Sequence, residues 1–98
     1  MKYLIALALA AAVAAPIAAS AAPLKGSQYL SQAKVSLAQA RSIALAKEHG
    51  IIVDQELEKE NGGLRYSFDV KVGKVVHEVG VNAITGKVIE DSIDKDTD

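Results

Sequence analysis

Between Leu64 and Val72 (LRYSFDVKV) apolar side chains hold every second position, with Arg65, Ser67, Asp69 and Lys71 between them. That is the period of a strand with one buried face. The run Val75–Val81 (VVHEVGV) repeats the alternation after Gly73-Lys74. A two-residue connection aligns Val72 with Val75, Val70 with His77, Phe68 with Val79 and Tyr66 with Val81, so both apolar faces coincide, and Gly73 supplies the positive φ the turn requires. Upstream, Ile51, Val53, Gln55 and Leu57 alternate with Ile52, Asp54, Glu56, Glu58 and Glu60, which predicts a strand with an acidic outer face. A helical continuation through QELEKE is the competing reading. Asn61-Gly62-Gly63 and the segment Asn82–Lys87 mark turns, and Val88-Ile89 open a last short strand.

Before these strands the period lengthens. Ser36 followed by Gln39 forms a capping box, in which each side chain satisfies the other residue's free amide. Leu37, Ala40, Ile43, Ala44 and the stem of Lys47 then share one helical stripe. His49 suits the negative end of the helix, and Gly50 is placed to stop it in the left-handed conformation. So short a helix is marginal alone, and its stripe must pack on the strands. The expected fold is therefore α+β, one N-terminal helix packed on an antiparallel sheet of three to four strands.

The chain ends carry different compositions. Residues 1–21 (MKYLIALALAAAVAAPIAASA) have one basic residue, an apolar run and small residues ending Ala19-Ser20-Ala21, the pattern of a signal peptide cut after Ala21. The strongly apolar part is short of the roughly 20 residues that span a bilayer, so no stable membrane anchor is expected after cleavage and a periplasmic or secreted location follows. Residues 22–35 read as a flexible lead-in, 36–91 as the folded domain and 92–98 as an acidic disordered tail.

Loss of Lys2 with the leader takes the net charge from −1 to −2. Near-balanced charge without clustered Lys or Arg argues against nucleic acid as a partner, and one Phe with three Tyr is too little for a base-stacking platform. The chain has no cysteine, so neither disulfides nor a lipobox is available, and a domain this small depends on a compact core.

No nucleophile–base motif is visible, and His49 and His77 lack metal-ligand spacing, so neither catalysis nor a zinc site is expected, and no cofactor. His77 falls on the apolar face opposite Val70, as a partly buried histidine near a sheet edge. On the outer face, pairing Glu60 with Arg65 sets Glu56, Asp69 and Glu78 in a row across three strands. Such a row opposes folding unless a cation or basic neighbours intervene, and it is a candidate for a hard cation such as calcium. Arg65, Asp69, Lys71 and Glu78 are the candidate partner-binding residues of this face.

The order of elements, carried by SLAQARSIALAKEHG and DQELEKENGGLRYSFDVKVGKVVHEVGVNAITGKVIE, resembles the PepSY domain over about Val35–Asp91. Ala40 and Ala44, Glu56-Leu57-Glu58, Tyr66 with Phe68, Glu78-Val79 and the ending from Val81-Asn82-Ala83 to Thr85-Gly86-Lys87-Val88 carry the likeness. The family usually reads Val-Asp-Ala where this chain has Val81-Asn82-Ala83. The resemblance implies a non-catalytic exported module that binds or restrains a peptidase, or binds an extended peptide. An envelope sensor or accessory protein that takes a ligand or cation is the alternative.

Overall fold

The computed structural model describes residues 22–94. The leader read over residues 1–21 and the end of the acidic tail, residues 95–98, lie outside them. Five strands form one sheet in sequence order: β1 (Leu24–Lys25), β2 (Ile51–Glu60), β3 (Gly63–Val72), β4 (Val75–Asn82) and β5 (Val88–Ile93). Strands β2 to β5 are an antiparallel meander. The two-residue β1 joins the far side of β2 in parallel, one strand more than the alternation predicts. An α-helix, α1 (Leu37–Lys47), packs on one face.

Hairpin β3–β4 has the register its alternation dictates: Val72 opposite Val75, Val70 opposite His77, Phe68 opposite Val79 and Tyr66 opposite Val81, with Gly73 at φ 65°. Between β2 and β3, Asn61 (φ 53°) and Gly62 (φ 79°) close a two-residue loop, the two positive angles for which Asn-Gly is favoured. The core lies between α1 and these strands. Tyr66, Phe68, Val70, Val79 and Val81 are fully buried, as are Ala40 and Ala44 of the helix. The Tyr66 and Phe68 rings stack with centroids 6.0 Å apart, and the Tyr66 hydroxyl donates to the Val35 carbonyl at 2.7 Å. Two alanines on the buried stripe let the helix lie close to the sheet, so little side-chain volume is needed to fill the gap.

The capping box at Ser36 and Gln39 forms, with bonds of 3.1 and 2.9 Å. The helix does not end on a left-handed Gly50. Its C-cap is Glu48 in extended conformation, and the chain runs straight into β2. Gly50 is required for a different reason: a Cβ there would lie 2.1 Å from the Lys71 carbonyl oxygen.

Strand β2 departs from the alternation. Ile52 pairs with Val70, but the next pairing is Asp54 with Asp69, leaving Val53 as an extra residue. This bulge changes the phase, so Ile52, Gln55 and Leu57 face the core. Ile51 and Val53, which the period assigns to the buried face, are 67% and 46% exposed.

The lead-in also differs from expectation. After β1, Gly26 adopts φ 83° and Ser27–Gln32 form a 3-10 helix. The chain passes so close to β2 that a Cβ on Gly26 would meet the Leu57 carbonyl oxygen. The Lys59 ammonium lies 5.6 Å from the Tyr29 ring centre, and the buried Gln55 amide donates to the Ala22 carbonyl at 2.6 Å. These contacts cover the β2 edge around Gln55–Leu57. At the other side, β5 extends to Ile93, into the stretch read as tail, and among the described residues no strand lies beyond it.

Candidate functional site

Arg65 stands at the centre of the outer face. Its guanidinium packs against Gly80, where a Cβ would be 2.3 Å from Nη2. It contacts carboxylates from three other strands: Glu90 at 2.8 Å, Glu58 and Glu60 at 3.7 Å and Glu78 at 3.8 Å, with its own side chain 14% exposed. The Arg65 Nε also donates to the Ser67 hydroxyl at 3.0 Å, which in turn donates to Glu58 at 2.8 Å. A half-buried planar cation among four carboxylates ties β2, β3, β4 and β5 together. Bonds from Arg65 and Ser92 hold the Glu90 carboxyl below the usual range. Burial, and then Glu90 and Asp69, push Glu78 up despite Arg65.

The register moves the acidic row. Glu58, not Glu60, pairs with Arg65, so Glu56 faces Ser67 and Asp54 faces Asp69. The row across the strands is thus Asp54, Asp69 and Glu78, in place of Glu56, Asp69 and Glu78. Burial raises the Asp69 pKa first, with Asp54 and Asp94 adding to it, while Lys25 opposes them. Lys25 reaches Asp54 at 3.3 Å from β1, a basic neighbour supplied by the segment read as a lead-in. Lys71 is exposed at the far end of β3.

On the helix side, a second group assembles at the end of α1. His77 Nδ1 lies 3.5 Å from Glu48 Oε2 and 3.7 Å from Asp91 Oδ1. Each of the three side chains is about one-fifth exposed, at 20–22%. Glu48 comes from the helix C-cap, His77 from β4 and Asp91 from β5, where it sits opposite Val79. A side-chain hydrogen bond with Asp91 raises the Glu48 pKa, and burial adds to this, with His77 and Lys47 opposing. Sequence reading placed His77 on this face but missed both carboxylates, because 29 and 14 residues of chain separate them from it. The crossing of α1 over β4 is what brings them in. His49 is exposed, its Nε2 3.1 Å from the Ala46 carbonyl oxygen.

A shallow groove lies between the start of α1 and the β4–β5 turn. It is lined by Val35, Ala38, Ile43 and Gly86 among others, with no ionisable side chain. In that turn the Asn82 side-chain oxygen accepts from the Ile84 and Thr85 amides at 2.8 and 3.0 Å, so asparagine performs the turn-forming work of an aspartate.

A helix across one face of a β-meander, with a polar network on the other face, defines a small α+β module. Residues 34–91 match the model of the PepSY family, described as "Peptidase propeptide and YPEB domain", and the chain belongs to that family. Such modules are generally without catalysis of their own. The fold also matches the crystal structure of a candidate lipoprotein from Clostridium difficile 630, with a TM-score of 0.58 and 24% identity over 60% of this chain and 39% of that one. At that identity the likeness is one of fold. No protein of curated function matches the chain. Among the described residues, no helix is long and apolar enough to cross a membrane.

Proposed function

We propose that this protein is an exported, non-catalytic binding module that captures an extended segment of a peptidase, or a peptide, by strand addition at β5, and that capture restrains the peptidase. The observation that carries this reading is the asymmetry of the two sheet edges. The β2 edge is covered around Gln55–Leu57 by β1 and the 3-10 helix, whereas among the described residues β5 has no neighbour beyond it over Val88–Ile93. An open edge of this length offers backbone groups to an added strand, and alternate side chains select it.

Pairing with β4 places Val88, Asp91 and Ile93 on the helix side of β5 and Glu90 and Ser92 on the outer side. The Asp94 amide donates to the Val76 carbonyl, so by the alternation of an antiparallel ladder the Asp91 and Ile93 amides point away from β4. A fitting segment is extended, apolar where it meets Val88 and Ile93, and basic where it meets Glu90 with Glu78 behind it. Asp69 and Lys71, further in on the outer face, contribute to the field that selects the partner. Arg65 acts by holding the strands in place. The family's tie to peptidase propeptides supports a peptidase as the source of the segment.

Ile93→Pro tests the mode of binding. It removes one outward amide and leaves the inner ladder intact. Peptidases from the envelope are first screened for capture and slowed turnover. With a captured peptidase, the proline variant should retain its melting temperature within a few degrees and bind about three- to tenfold more weakly, the loss of roughly one hydrogen bond to an edge. Unchanged affinity excludes strand addition at β5, and failure of every co-resident peptidase to bind removes the reading.

A further inference from the structure

The geometry points to a zinc-class metal site formed by Glu48, His77 and Asp91, which fastens the C-terminal end of α1 to β4 and β5. This inference is independent of strand addition at the β5 edge. Three potential ligand atoms from three elements, one imidazole nitrogen and two carboxylate oxygens, all lie within 4.8 Å of one another. His77 Nδ1 stands 3.5 and 3.7 Å from the two oxygens, longer than the roughly 2.7–2.9 Å of a charge-assisted hydrogen bond. These separations, those of an ion pair, also suit the edge of a coordination tetrahedron, since zinc–nitrogen and zinc–oxygen bonds of about 2.0–2.2 Å set ligand atoms roughly 3.3–3.6 Å apart.

The chemistry of the group favours the same conclusion. A carboxylate oxygen of Glu48 and one of Asp91 lie within 4.8 Å of each other and of an imidazole nitrogen of His77, an apposition of two acids that a cation relieves. An imidazole in the set selects zinc and its neighbours in the first transition row over calcium or magnesium, which take all-oxygen shells. Two carboxylates neutralise a divalent ion, and Lys47 is the cation that acts on Glu48 from the same helix. Three protein ligands leave the fourth vertex to water or to a side chain of a bound partner. Glu48 and His77 are partly buried and Asp91 is an exposed residue, so the site lies at the surface end of the junction between α1, β4 and β5, open to an entering ion.

The test uses tag-free protein stripped with chelator and then titrated with zinc chloride, followed by calorimetry and thermal melting. One equivalent should bind, and at about ten times the dissociation constant the melting temperature should rise by roughly 6–11 °C. His77→Gln and Asp91→Asn should each abolish the rise, and His49→Gln, which removes the other histidine, should leave it unchanged. Cobalt(II) should give the visible absorption of a four- or five-coordinate centre, lost in His77→Gln. No zinc-dependent shift, a shift retained in a folded His77→Gln variant, or an equal shift with calcium overturns the assignment.

Discussion

Single residues in this protein carry obligations set by what lies across the sheet from them. Gly80 is the floor on which the Arg65 guanidinium rests, and Gly50 makes room for the Lys71 carbonyl. Neither has a positive φ, so both serve close approach and not a turn. Asp69 is the clearest case of a residue that opposes the fold. Its neighbour across β2 is Asp54, and both burial and that charge raise its pKa. An acid whose pKa is higher when folded than when unfolded weakens the fold above the folded value, and that penalty disappears as pH falls below the unfolded one. Asp69→Asn should therefore stabilise the protein at neutral pH by about 0.2–1 kcal/mol, the usual effect of opposed like charges. The gain should shrink on acidification and vanish below the ordinary aspartate range, as checked by denaturant melts across pH.

Among the elements, β2 shows how one extra residue can reassign a strand. Read by period alone, Ile51 and Val53 share the buried face with Gln55 and Leu57. The bulge at Val53 puts Ile52 there instead and turns Ile51 outward. Removing the extra residue restores regular pairing, because Ile52 and Gln55 then stand two positions apart and both still face the core. Deletion of Val53 should thus preserve a cooperative melt at a cost of no more than about 1 kcal/mol. Deletion of Glu56 would turn Leu57 outward and should unfold the domain, since exposing a buried leucine and its cavity costs about 2–5 kcal/mol. Circular dichroism melts of the two deletions check this directly.

For the whole molecule, the decisive feature is the difference between its two edges. The segment Leu24–Gln32 covers β2 around Gln55–Leu57 by pairing and packing, while among the described residues β5 has no strand beyond it. Hydrogen exchange should reflect this order. The β3 and β4 amides, flanked on both sides and covered by α1, should exchange slowest, at or near the rate of global unfolding. The outward Asp91 and Ile93 amides should exchange fastest within the sheet and gain protection when a peptide segment binds. Protection of Asp91 and Ile93 without a partner would show that something already covers the edge.

The central hairpin, its register, the Ser36–Gln39 cap and the placement of Tyr66 and Phe68 in the core were all determined by the sequence itself, because alternation, turn chemistry and capping are local and act over a few residues. The PepSY likeness was legible for the same reason, since its carriers lie in those elements. What only the tertiary structure decided depends on residues far apart in the chain. The bulge in β2 is set by a choice between two registers against β3, the Asp54–Asp69–Glu78 row follows from that choice, and β1 exists only because β2 offers it an edge. The meeting of Glu48, His77 and Asp91 belongs with them: no spacing along the chain announces it, because the angle at which α1 crosses the sheet determines which side chains its last turn reaches.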